Sequence, residues 1–123
     1  MLEVYSENVE VAAESPVPFQ NVTLKKGCTA ELSGASTIEL NKCGVYMIAC
    51  DASAGASVTI QLYKNGVAQP QAQATGSSPA FTTLVQVTED NSCCPCAKGT
   101  SLQIMNETAA TFDNINVVVT KVV

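Results

Sequence analysis

Short stretches of alternating apolar and polar residues, each closed by turn-forming residues, run through most of the chain. In "SVTIQLYKNG", Val58, Ile60 and Leu62 alternate with Thr59, Gln61 and Tyr63, the pattern of a strand with one buried face. The Asn65-Gly66 pair that follows is a tight hairpin turn signal. Similar segments rich in Val, Ile, Thr and Leu predict strands over Asn8–Ala13, Asn21–Leu24, Ser36–Leu40, Gly44–Ala52, Ser57–Lys64, Phe81–Thr88, Thr100–Asn106 and Ile115–Val122. Gly27, Gly34, Gly44, Gly55, Pro95 and Gly99 punctuate them, and no stretch has a helical period. The Gln- and Ala-rich segment Gln69–Pro79 is expected to be an exposed loop. So many short strands in one chain predict an all-β domain of two packed antiparallel sheets.

The strands are of two kinds. "VTIQLY" and "TTLVQVTE" have one largely polar face, as in a sheet with a solvated side. In "GVYMIAC" both faces are apolar: Tyr46, Ile48 and Cys50 on one, Val45, Met47 and Ala49 on the other. "NVVVTKVV" is nearly so, and "TSLQIMN" places Gln103 and Met105 opposite Leu102 and Ile104. If these last three lie in one sheet, it shows an apolar surface that a monomer rarely exposes. Val45, Met47, Ala49, Met105 and Val118 are then the expected contacts between copies of the chain.

Length and charge narrow the partners. The 123 residues fit a single domain spanning 1–123, large enough to bury a core without disulfides. The net charge of -5, with only Lys25-Lys26 as a basic pair, gives no footprint for nucleic acid. The amino-terminal "MLEVYSENVEV" has no signal-peptide pattern, and no run nears the roughly 20 apolar residues that span a bilayer. With no His, neither a Ser-His-Asp nor a Cys-His pair can form. Glu89-Asp90 is the one adjacent carboxylate pair, and reads as a solvated turn. No enzyme activity and no cofactor are expected.

The order "TIELNKCGVYMIACDASA", "VTIQLYKNG", "FTTLVQVTED", "AKGTSLQIMN" and "NINVVVTKVV" resembles the jelly roll of the tumour necrosis factor and complement globular-head superfamily. It is especially similar to bacterial and phage members, such as spore-surface glycoprotein heads and phage head-fibre or fibre tips. Gly44-Val45-Tyr46, Asn65-Gly66 and Lys98-Gly99 carry the likeness, which covers about residues 36 to 123. The chain departs from the family in having few aromatics and a short segment between Asn106 and Ile115.

The resemblance implies a two-sheet antiparallel jelly-roll sandwich that trimerises through the sheet holding the Gly-x-Tyr strand. It implies a structural protein on the surface of a tailed-phage virion: a head fibre, decoration protein or fibre tip. The partners would be itself, other virion proteins and a host-surface glycan. Residues 1–10 would be an attachment arm. A carbohydrate-binding module, with its ligand at Gln69–Ser78, and a spore-surface protein are the alternatives.

Six cysteines remain to be placed: Cys28, Cys43, Cys50, Cys93, Cys94 and Cys96. Cys93 and Cys96 have the spacing of a dithiol catalyst or a zinc knuckle, but a strand rather than a helix is expected after them, which argues against redox catalysis. The resemblance implies that Gly44–Ala52 pairs with Thr100–Asn106, bringing Cys50 toward Cys96, Cys93 or Cys94 as a disulfide staple. Cys28 and Cys43 are further disulfide candidates. Buried free thiols remain the alternative.

Overall fold

The computed structural model describes residues 1–27, 29–87 and 100–123. These form β1 (Leu2–Val11), β2 (Ser15–Pro16), β3 (Asn21–Lys25), β4 (Ala30–Ser33), β5 (Thr37–Leu40), β6 (Gly44–Ala54), β7 (Val58–Lys64), β8 (Val67–Gly76), β9 (Ala80–Val87), β10 (Thr100–Asn106) and β11 (Ala110–Lys121). There is no helix among the described residues. The first sheet has the order β3-β1-β11-β6-β9 and the second β4-β5-β10-β7-β8, with β2 paired to the end of β10. All pairings are antiparallel.

The core lies between the sheets and follows the alternation of the sequence. Tyr46, Ile48 and Cys50 of β6, Ile115, Val117 and Val119 of β11, and Leu2 and Val4 of β1 point inward from the first sheet. They meet Ile38, Leu40, Ile60, Leu62, Leu102 and Ile104 from the second. Burying side chains of this size contributes about 1.5–3 kcal/mol each before entropy is counted.

Residues 1–10 are not a free arm. Leu2–Val11 is β1, hydrogen-bonded between β3 and β11. Its alternation is broken at Asn8, whose φ is +51°, so that Leu2, Val4 and Ser6 face inward before it and Val9 and Val11 after it. Asparagine tolerates this left-handed conformation. The inward Ser6 hydroxyl is satisfied, donating to Pro18 O at 2.6 Å and accepting from Gln20 N at 2.8 Å.

Three other expectations change. Gln69–Pro79 is largely strand, because β8 pairs with β7 through its backbone while only Ala72 is fully buried along it. Residues after Asn106 are not short of strand, since β11 starts at Ala110 and is 12 residues long. Most important, β6 does not pair with β10. It lies between β11 and β9, whereas β10 pairs with β5, β7 and β2 in the opposite sheet. The hairpin predicted at Asn65-Gly66 is present: their φ values are +51° and +81°, and β7 pairs directly with β8 across them.

The two ends of the chain meet at one end of the sandwich. Gly44, with φ +145°, sits beneath the Val123 carbonyl and the Lys121 side chain. Val122 N donates to Val45 O at 2.8 Å, and Lys121 Nζ donates to Val123 O at 2.8 Å. Leu2 pairs with Val119, which pairs with Ile48, so Met1 leaves the sheet at the same end.

Candidate functional site

The outer face of the first sheet is the feature that the core does not explain. Strand register sets its rows: Leu84, Met47 and Thr120 stand side by side, then Thr82, Ala49, Val118 and Glu3, then Ala80, Asp51, Asn116 and Tyr5. Val45, beside Gln86, extends the first rows toward Gly44. Val45, Met47, Ala49 and Val118 are therefore together on one surface, each half-buried, since alternate residues of a strand share one pleated face. The face is apolar toward Gly44 and polar toward Asp51 and Asn116.

Met105 is not part of it. Because β10 belongs to the second sheet, Met105 stands on the opposite outer surface, facing Gln61 across the ladder. The residue that sequence reasoning missed is Leu84, 60% exposed and adjacent to Met47. It was visible in "FTTLVQV" as the one large apolar residue on the otherwise polar face of that strand. Between Ala49, Thr82, Val118, Asp51 and Asn116 the same face has a hollow of about 350 Å³, opened by the small Ala49 and Ala80 side chains.

The cysteines divide. Cys50 is a free, buried thiol on the core side of β6, between Phe81 of β9 and Val117 of β11 in register. It forms no staple, since β6 and β10 lie in different sheets. Burial pushes its ionisation well above the ordinary thiol range, and the neighbouring Asp51 carboxylate adds to the shift. Cys50 is therefore a small core hydrophobe and a poor nucleophile. Cys43 is disulfide-bonded. Cys28, Cys93, Cys94 and Cys96 lie outside the described residues, as does the zinc knuckle considered for Cys93 and Cys96, and so does Glu89-Asp90. Among the described residues no three His, Cys, Asp or Glu side chains gather as metal ligands.

Next to Cys43, Tyr46 anchors the crossing from β5 to β6. Its ring is fully buried, and its hydroxyl donates to Lys42 O at 2.8 Å, with Thr29 O at 3.4 Å. Asn41 N donates to the same Thr29 carbonyl at 2.8 Å. Burial raises the phenol's pKa, partly offset by the bond to Lys42.

No protein-family model and no curated protein matches the chain. Solved structures do. The globular domain of zebrafish complement 1qA superposes with a TM-score of 0.71 at 13% identity, over 95% of this chain and 94% of that one. PRD1 vertex protein P5 gives 0.68 at 14%, over 99% and 96%. Murine APRIL gives 0.62 at 12%, over 98% of each chain. The fold is the tumour necrosis factor and complement-type jelly roll. In this jelly roll the Gly44-Val45-Tyr46 strand is the one that carries Met47 and Ala49 onto the apolar outer face.

Proposed function

We propose that the chain is a non-enzymatic structural component of a phage particle, working as a homotrimer in which the outer face of the first sheet is buried between copies. The observation that carries this reading is the cluster of Val45, Met47, Ala49, Leu84 and Val118 on that face. Apolar residues contiguous on a sheet surface favour burial against a partner. The trimer is what the family resemblance implies, and the likeness to a phage vertex protein supports the particle setting. The active-site pairings that histidine would supply are unavailable to a chain without it.

Light scattering coupled to size exclusion tests the assembly. The expected mass is three times the 12.8 kDa of one chain. Met47→Asp and Val118→Asp are expected to give monomers, because each leaves a carboxylate desolvated and unpaired. Met105→Asp, on the opposite sheet, is expected to leave the mass unchanged. A wild-type monomer at micromolar concentration overturns the trimer. Mass spectrometry of purified particles tests the setting, and its absence from them overturns that part.

A further inference from the structure

We propose that the end of the sandwich bearing Gly44 docks onto an acidic surface of another particle protein, a contact that rests on the particle setting proposed above. Charge is sorted along the strands. Lys25 pairs with Leu2, and Lys26 N donates to Met1 O at 2.9 Å. Lys42 lies two residues before Gly44, and the Lys121 side chain packs over it. Lys64 Nζ donates at 2.7 Å to the carbonyl of Gln86, which pairs with Val45. All the lysines among the described residues are therefore at this end, and the chain has no Arg.

The far end is the reverse. Glu7 and Glu10 pair with Asn114 and Thr111, Asp113 stands between these two, and Glu14 and Glu107 bond through their backbone N to Asn106 O and Thr59 O. These carboxylates are all exposed, and none of the described lysines accompanies them. Glu3, Glu31 and Glu39 do share the lysine half, but Glu3 is held by the Thr23 hydroxyl at 2.8 Å and Glu31 by Lys25 at 3.6 Å. No other lysine among the described residues has a carboxylate partner.

Exposed apolar side chains sort the same way, independently of the charges. Val67, 63% exposed, pairs with Lys64, and Leu24, 41% exposed, adjoins Lys25 and pairs with Glu3. No large exposed hydrophobic residue lies at the carboxylate end. Apolar residues set among charges of one sign are the make-up of a protein contact, in which burial supplies affinity and charge fixes orientation. Leu84 is assigned to the trimer face, so Val67 and Leu24 are the apolar contacts at this end.

The partner follows from the same residues. Single-stranded nucleic acid is met by aromatic side chains on which bases stack, and a lipid surface by Trp and Tyr anchors. The large exposed hydrophobic residues here include no aromatic. Another copy of the chain offers carboxylates at its far end but no large apolar residue beside them, so copies do not complement one another end to end. An acidic protein surface with an apolar centre matches both features, and the carboxylate end then points away from it.

Carbodiimide cross-linking of purified particles tests the contact. The reagent condenses a lysine amine with a touching carboxylate into an amide and takes up the released water as a urea. Digestion and mass spectrometry are expected to find Lys25, Lys26, Lys42 or Lys64 joined to carboxylates of a different protein. Lys25→Glu with Lys64→Glu, and separately Val67→Asp, are expected to lower the copies per particle at least about tenfold, whereas Glu10→Lys with Glu107→Lys leaves them unchanged. Thermal midpoints report folding, and Lys26→Glu with Lys42→Glu repeats the test if a variant fails to fold. Cross-links from the carboxylate end to another protein, cross-links only between copies of this chain, no cross-link at all, or normal incorporation of the lysine variants overturns the contact while leaving the particle setting intact. Release of the wild-type protein by nuclease or detergent assigns the contact to nucleic acid or lipid and also overturns it. Particles that lack the wild-type protein overturn the setting and the contact together.

Discussion

Replacing Gly44 by alanine should destabilise the fold by more than its backbone conformation alone requires. At φ +145° an alanine carries strain of about 1–3 kcal/mol. Its Cβ would also lie 2.5 Å from Val123 O and 2.7 Å from Lys121 Cε, distances at which the neighbours must move. The Val123 carbonyl is backbone, so the end of the chain would lift from Val45, losing a bond such as Val122 N to Val45 O at about 1 kcal/mol. The combined cost is about 2–4 kcal/mol, a large part of the roughly 5–15 kcal/mol that holds a domain of this kind. With an m-value of about 2 kcal/mol/M, the urea midpoint should fall by roughly 1–2 M at fixed protein concentration. Gly34→Ala is the control, because Gly34 has φ +69° but nothing within 4 Å of its Cβ position, leaving only a conformational cost of about 1–2 kcal/mol. If Gly44→Ala is no more destabilising than Gly34→Ala, the packing of Val123 and Lys121 over Gly44 is refuted.

Other substitutions test the core and the buried ionisable groups. Ile104→Ala, at a position 1% exposed, should cost about 2–5 kcal/mol by thermal or urea unfolding. Cys50→Ser, which places a hydroxyl in an apolar site, should cost about 1–3 kcal/mol, and the native Cys50 thiol should resist a thiol reagent until the protein unfolds. Both Tyr46 and Cys50 have ionisations raised by folding, so their neutral forms are the ones the fold favours. Their contribution is complete below the values of the unfolded chain, about 9 to 10, and is lost as pH rises toward the folded values. The urea midpoint should therefore fall in alkali, and Tyr46→Phe should lessen that fall while costing about 1 kcal/mol at neutral pH for the lost bond to Lys42.

The sequence made some of this architecture legible and concealed the rest for physical reasons. β7 and its Asn65-Gly66 turn could be read because alternation and turn chemistry agree there. The doubly apolar β6 could be read because both sets of side chains, Tyr46-Ile48-Cys50 and Val45-Met47-Ala49, are apolar. β8 could not, since its Gln, Ala and Gly residues have weak strand preference and backbone pairing with β7 holds it. The first half of β1 was concealed by Asn8, which shifts the inward set by one residue and breaks the period between Leu2–Ser6 and the predicted strand from Asn8. Met105 and Cys50 failed together: alternation tells which face a residue occupies but not which sheet its strand joins. Leu84 was present in the pattern but, as a single residue, carried little weight until its neighbour Met47 was known.

The fastening of Val122 and Val123 over Gly44, with Met1 leaving beside them, gives the sandwich a polarity. The turns that bear Glu14 and Glu107 join the opposite ends of the same strands, since β1 and β11 start and finish together at Val11 and Ala110. A body tethered through either end, or through both, is held by one pole and offers the other outward. A short linker from Val123 to Met1 would therefore close the chain at that pole, and new ends cut in the turns of the opposite pole would reverse which one is presented.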